Sequence, residues 1–179
     1  MKNKILLAIT ILLSISAQVT GQSTLETSVL KELNVYRKSN GLQPVIYSAE
    51  ITKAAKHHTQ WMVSANKLSH YEEFDVSGIK TLKSPTDRGN YYGLFKDIHT
   101  YQEICSFTKA LGGNPFVEIK KSDAVLGRDI IIIFSESPPH NECMLTRISP
   151  GSVISVGISV IIVGEIAYTT IYFIEKKLI

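Results

Sequence analysis

The sequence predicts a single α+β domain, and three observations carry that prediction. Two amphipathic helical patterns fill the first third of the chain. Two apolar, β-branched runs divided by Gly164-Glu165 close it, as a hairpin would. Between them no repeat, low-complexity tract or linker offers a second boundary. With 179 residues, 44% apolar and 20% charged, the chain is long enough to bury one core.

The opening residues, MKNKILLAITILLSISAQVTGQ, place Lys2 and Lys4 before an apolar stretch from Ile5 to about Ile15. That pattern is a secretory signal peptide, too short and wrongly flanked for a membrane span. Val19 and Gly21 are small residues suited to a signal peptidase site, so cleavage is expected after Gly21, leaving one domain over 22–179. No cysteine follows, which argues against a lipid anchor. Secretion to the exterior or the periplasm is the expected location.

Ser23 or Thr24 can cap the first helix, in which Leu25, Val29, Leu33 and Tyr36 recur at three- and four-residue spacing until Gly41 ends the pattern. GLQPVIYS reads as a turn with a short extended piece. Ser48 opens a second helix whose stripe is Ile51, Ala55, His58, Met62 and Ala65. His58 therefore reads as a core histidine with a satisfied ring, while His57, one position round, is expected in solvent. A polar loop follows with His70. The middle of the chain is rich in turn residues and tyrosine, then TYQEICSFTKALGG brings Glu103 beside Cys105. NPFVEIKKSDAVLGRDIIIIF is ambiguous: Asn114-Pro115 starts helices well, whereas four isoleucines favour a strand.

The stretch from Val153 to Ile174 is apolar and long enough to imitate a transmembrane helix. Its β-branched and aromatic residues, and the Gly164-Glu165 interruption, instead predict buried strands Ile154–Val163 and Ile166–Ile174. No transmembrane segment is expected in the mature chain.

Loss of Lys2 and Lys4 with the leader takes the formal charge from +3 to +1, which gives no footprint for nucleic acid. Cys105 and Cys143 both lie in the exported part, where oxidation is permitted, so one disulfide is expected, with a free buried pair as the alternative.

Phosphate loops, nucleophile elbows, H-E-x-x-H and paired C-x-x-C motifs are all missing from the sequence. Ser135 and Ser137 precede prolines and read as turn residues. Four pieces in order say more: LNVYRKSNGLQPVIYSAEITKAAKHHTQWM, LSH at 68–70, SPTDR at 84–88, and SPPHNECML followed by SVGISV. Together they resemble the bacterial branch of the CAP superfamily, the SCP-domain proteins named for cysteine-rich secretory proteins, antigen 5 and pathogenesis-related 1. The first block is the most specific: Asn34, Arg37, Asn40-Gly41-Leu42-Gln43-Pro44, Ala54-Ala55, Met62 and Leu68-Ser69-His70.

The resemblance implies a three-layer α-β-α sandwich with a small antiparallel sheet, and makes part of Asp123–Phe134 helical. It also implies a cleft with two histidines and acidic partners, which in several members binds a divalent metal. Matching the motifs puts His70 and His140 at the histidine positions, with Glu103 as the glutamate and Glu136 near the place of a second one. Phe134 stands where the family has tryptophan. Two imidazoles with one or two carboxylates could make an open site for Zn²⁺ or a similar cation. Otherwise the histidines hydrogen-bond within the cleft and bind nothing tightly. The function implied is a secreted binding module for a small apolar, lipid-like or cell-envelope ligand, or alternatively a metal-assisted hydrolase of peptidase type using the same cleft.

Overall fold

The computed structural model describes residues 23–96, 98–114 and 117–178. The expected signal peptide and its cleavage after Gly21 lie outside the described residues. Among the described residues, five helices and six strands run in the order α1 (Thr24–Ser39), β1 (Ile46–Tyr47), α2 (Ala49–Ala65), α3 (Pro85–Tyr91), β2 (Ile98–Lys109), β3 (Leu111–Asn114), β4 (Val117–Lys120), α4 (Asp123–Glu136), α5 (Pro138–Met144), β5 (Ser152–Val163) and β6 (Ile166–Lys177).

The local chemistry that starts and stops these elements is visible residue by residue. Ser23 caps α1 in a capping box with Glu26, so two otherwise orphaned backbone donors are satisfied reciprocally. Ser48 caps α2, which ends at Asn66 in the left-handed region, φ 48°. Ser84 and Asp87 form a second capping box on the short α3. Pro138 occupies the first turn of α5, where its missing N–H costs nothing.

Four strands form a mixed sheet in the order β1-β5-β6-β2. β5 and β6 make the hairpin expected from the sequence, turning at Gly164 with φ 57°, and each strand runs somewhat beyond the predicted limits. The sheet is not wholly antiparallel, because β1 runs parallel to β5. α2 covers one face; α1 and α4 cover the other, giving the three layers. α4 spans the isoleucine run, so the helical reading of Asp123–Phe134 holds over the strand propensity.

Close packing of α2 rests on Gly157, where a Cβ would lie 2.3 Å from the carbonyl carbon of Ile51. Only a residue without a side chain lets the helix backbone lie on the strand there. Between the edge strand β2 and α4, β3 and β4 pair antiparallel as a separate two-stranded sheet.

Candidate functional site

The first block of the sequence acts as a clamp. The Asn34 amide donates to the Val45 carbonyl at 3.0 Å and accepts from its N–H at 2.9 Å. Fully buried Arg37 donates to the carbonyls of Gln43, Met144 and Thr146. Tyr36 donates to Asn141 at 2.9 Å. α1 thereby fixes the start of β1 and both sides of α5, and α5 carries His140.

On the α2 face, a buried ionic cluster lies beneath the cleft. Arg88, 0% exposed, reaches from α3 to two carboxylates. Its Nη2 donates to Glu103 Oε1 at 2.7 Å and Oε2 at 2.8 Å, its Nε to Oε2 at 3.1 Å, and its Nη1 to Glu72 Oε1 at 3.1 Å. It also donates to the carbonyls of His70 and Leu82, which pins the loop after α2. Glu72 Oε2 accepts from the Leu82 N–H at 2.6 Å. Burial alone would raise the Glu72 carboxyl; the hydrogen bonds from His57, His58 and Leu82, with the Arg88 charge, overcome it and lower the group to about 2. Glu103 is held below the usual carboxylate range against a like burial penalty, by His70, His58 and Arg88.

The fold brings His70 and His140 close together. Their ring centroids are 5.9 Å apart, and His70 Nδ1 lies 3.3 Å from Glu103 Oε1. The His140 ring stands edge-on to buried Phe134 at 5.4 Å, so the phenylalanine supplies the wall expected from an aromatic at that position. Burial, and secondarily the neighbouring His70, lower the His140 ring below its ordinary value. Glu136 does not join them: it is exposed at the end of α4 and has no hydrogen bond or ion pair to either histidine or to Glu103.

His58 is the satisfied core histidine predicted, with Nε2 2.6 Å from the Ser69 carbonyl and Nδ1 3.2 Å from Glu72. His57 is not in solvent. It is 8% exposed, with Nδ1 3.1 Å from the Tyr92 hydroxyl and Nε2 3.4 Å from Glu72 Oε2. The chain from His70 to Tyr92 folds over α2, so the buried stripe of that helix is wider than one sheet contact would make it.

Both cysteines are free thiols, so the expected disulfide is not formed. β2 alternates its side chains, sending Cys105 to the α2 side, where Sγ lies 3.7 Å from His70 Nδ1. Cys143 packs against the opposite core with α1 and α4. Burial, together with the charge of Glu103, pushes the Cys105 thiol up to about 12, which makes it an inert neighbour rather than a nucleophile.

Above the cluster opens a cleft of about 310 Å³, lined by His70, Ser84, Thr86, Tyr101 and Glu103 among others. Tyr101 is stacked on Tyr172 and hydrogen-bonded to Thr86, so its ring is a fixed wall. Two rings sharing a Zn²⁺ ion through bonds of about 2.0–2.1 Å would put their centroids roughly 5 Å apart; those of His70 and His140 lie 5.9 Å apart. The carboxylate is not available in the same way, because Arg88 occupies both of its oxygens. Among the described residues no three His, Cys, Asp or Glu side chains are grouped to hold a metal.

Arg88 and Glu72 were not singled out by sequence reasoning, although SPTDR and the residues after LSH contain them. The available signal was a charged residue within or just after a matched motif, next to turn chemistry that would fold it inward.

Known proteins share this fold. The profile of the cysteine-rich secretory protein (CAP) family matches residues 30–147, well over half of the chain. A sequence search of curated proteins gives no match. Among solved structures, the fold is similar to an outer surface protein of Borrelia burgdorferi, with TM-score 0.59 and 14% identity over 86% of this chain and 92% of that one. It is also similar to an extracellular SCP-domain protein of Bacillus anthracis, with TM-score 0.58, 16% identity and 84% of this chain covered. A cysteine-rich secretory protein of Staphylococcus aureus gives TM-score 0.52 at 14% identity over 88% of this chain. The chain spans 40% of the Bacillus and Staphylococcus proteins, so it corresponds to one part of each. With the family profile matched across its helices and cleft motifs, and the three-layer fold in place, the chain belongs to the CAP family of cysteine-rich secretory proteins.

Proposed function

We propose that this CAP domain is an exported binding module whose cleft, walled by His70 and Tyr101 with His140 beside His70, takes a small ligand of the cell envelope or its surroundings. The observation that carries the reading is the engagement of Glu103. Both of its oxygens are held by Arg88, and it is 1% exposed as a side chain, so it braces His70 and the cleft floor rather than serving as a mobile base. Ser84 and Thr86 hydroxyls beside the fixed Tyr101 ring favour a ligand with both polar groups and a flat apolar face over a purely aliphatic one. Export rests on the Lys-flanked leader, and among the described residues no helix is long and apolar enough to cross a membrane.

A divalent cation would be held by His70 and His140, where it would organise a ligand by accepting a lone pair from it. Two protein ligands are fewer than tight zinc sites use, so the affinity is modest. Metal-assisted hydrolysis has less support, because the carboxylate it would need is already committed to Arg88.

Two titrations test this. Zinc calorimetry on the wild type, His70→Ala, His140→Ala and His57→Ala is expected to show binding lost only in the first two variants. Chemical-shift mapping with N-acetylglucosamine tetramer as polar probe and octanol as apolar probe is expected to move Tyr101 and His70 with the saccharide. Equal zinc affinity in all four proteins removes the cation site. Failure of both probes to perturb the cleft removes the binding reading.

A further inference from the structure

A second concavity lies on the outer surface of α1 and shares no lining residue with the histidine cleft. It measures about 540 Å³, within the range of small-molecule sites. One wall is the helix face bearing Lys31, Val35 and Lys38; the other is the chain from Leu42 to Pro44.

That second wall does not drift. Asn34 grips Val45 through two hydrogen bonds, and Arg37 holds the Gln43 carbonyl at 2.9 Å, so the groove exists before any ligand arrives. Its floor is apolar: Val35 is 54% exposed, with Leu42 and Pro44 facing it across the groove. A single exposed valine would need no explanation on its own. Here it lies in a braced hollow between two lysines seven residues apart, about 10 Å along the helix. Among the described residues neither lysine has an acidic partner, while Lys53, Lys67 and Lys121 do.

We infer that this groove binds a free, small amphipathic organic anion. The apolar body lies on Val35, Leu42 and Pro44, and the carboxylate, sulfonate or phosphate head is held by Lys31 and Lys38. The apolar groups sit inside a concavity rather than on a convex ridge, so a dissolved molecule reaches them and a flat bilayer surface does not.

The test uses 8-anilinonaphthalene-1-sulfonate as the probe, followed by fluorescence and calorimetry on the folded chain. The wild type is expected to bind one probe molecule, and binding is expected to weaken by about tenfold or more in Lys31→Glu/Lys38→Glu, the loss of a favourable head-group contact. Val35→Trp, which fills the hollow while keeping both charges, is expected to block the probe as well. The neutral analogue N-phenyl-1-naphthylamine is expected to bind more weakly than the sulfonate. His70→Ala is expected to bind like the wild type, which separates this groove from the histidine cleft. Unchanged affinity in the double lysine variant, or in Val35→Trp at unchanged melting temperature, overturns the inference. So does binding to phosphatidylserine–phosphatidylcholine vesicles with no response to the free probe, which would make the groove a membrane contact.

Discussion

On the α1/α4 side of the sheet, Leu33, Leu126, Ile130 and Phe134 meet Ile104, Val156, Ile158 and Ile171, all fully buried and all apolar. On the α2 side, the region beside β2 is nearly as inaccessible but is built from the side chains of Arg88, Glu72, Glu103, His57 and His58. The first arrangement gains free energy from every methylene withdrawn from water. The second must offset the desolvation of three charges with hydrogen bonds, and such clusters contribute little net stability. What the second gains is position: the loop carrying His70, the strand carrying Glu103 and helix α3 all converge on one guanidinium. The apolar side stabilises the fold, and the ionic side shapes the cleft.

The sharpest way to break this comparison is to remove Arg88. Arg88→Leu leaves Glu72 and Glu103 buried without a counter-charge, and a loss of about 3–5 kcal/mol is expected at neutral pH. Leu126→Ala on the other side is expected to cost about 2–5 kcal/mol through the cavity it leaves. Magnitude does not separate the two, but pH does. Once the carboxylates are protonated they no longer need the guanidinium, so the Arg88→Leu deficit shrinks in acid while the Leu126→Ala deficit stays constant. Urea unfolding of both variants at neutral and acidic pH checks this, and a pH-independent Arg88→Leu deficit would show that the cluster is held by packing alone.

The wild type gives a second, smaller contrast. The Glu72 carboxyl is lowered from 4.5 to about 2 in the folded state, so the unfolded chain binds its proton first as acid is added. The stability that Glu72 contributes is therefore complete above about pH 4.5 and is lost as pH falls toward about 2. Glu103, shifted in the same direction, adds to the fall. Thermal unfolding followed across that window should show a decline that Glu72→Gln flattens, since the variant no longer has the titrating group.

How far these two sides could be read from sequence follows from their chemistry. Apolar periodicity located α1, α2 and the β5–β6 hairpin, because burying Leu33 or Ile171 leaves a repeating mark along the chain. The ionic side leaves no such mark. A buried Arg88 looks like any surface arginine until its partners, from residues as distant as Glu103, are brought to it. His57 was expected in solvent because one helical stripe was counted, whereas α2 is covered both by the sheet and by the chain around Tyr92. Motif matching pointed to His70 and His140, whose rings the fold brings 5.9 Å apart; the separation of the two cysteines was not legible, since it depends on Cys105 taking the α2 face of β2 while Cys143, on α5, packs against the opposite core.

A third test asks whether α1 reaches the cleft through its clamp. Asn34→Ala removes two hydrogen bonds to Val45 and leaves that partly buried backbone unpaired, at an expected cost of about 1–3 kcal/mol. Because the same clamp braces the lysine groove, the variant should also lose affinity for the naphthalene sulfonate probe, whereas Leu126→Ala should keep it. Calorimetry on the two variants makes the comparison, with Leu126→Ala as the control for a general loss of stability.

The smallest effect is the most local. His140 sits where the two sides of the molecule meet, with Phe134 of the apolar core against its ring edge and His70 of the ionic side 5.9 Å away. Two causes lower its ring, burial first and the His70 charge second. His70→Ala removes only the second, so the titration of His140 should move part of the way back toward the ordinary 6.5 and remain below it. Phe134→Ala opens the first cause to solvent and should move it further. The sign for stability follows: a ring that resists protonation when folded contributes stability above pH 6.5, and that contribution drains as pH falls below it. Proton titration of the His140 ring by NMR in the three proteins ranks the shifts directly. If His70→Ala proved the larger change, the cleft would be governed by the ionic cluster rather than by the apolar wall, and any cation held between the two imidazoles would gain more from neutralising that charge than from the dryness of the site.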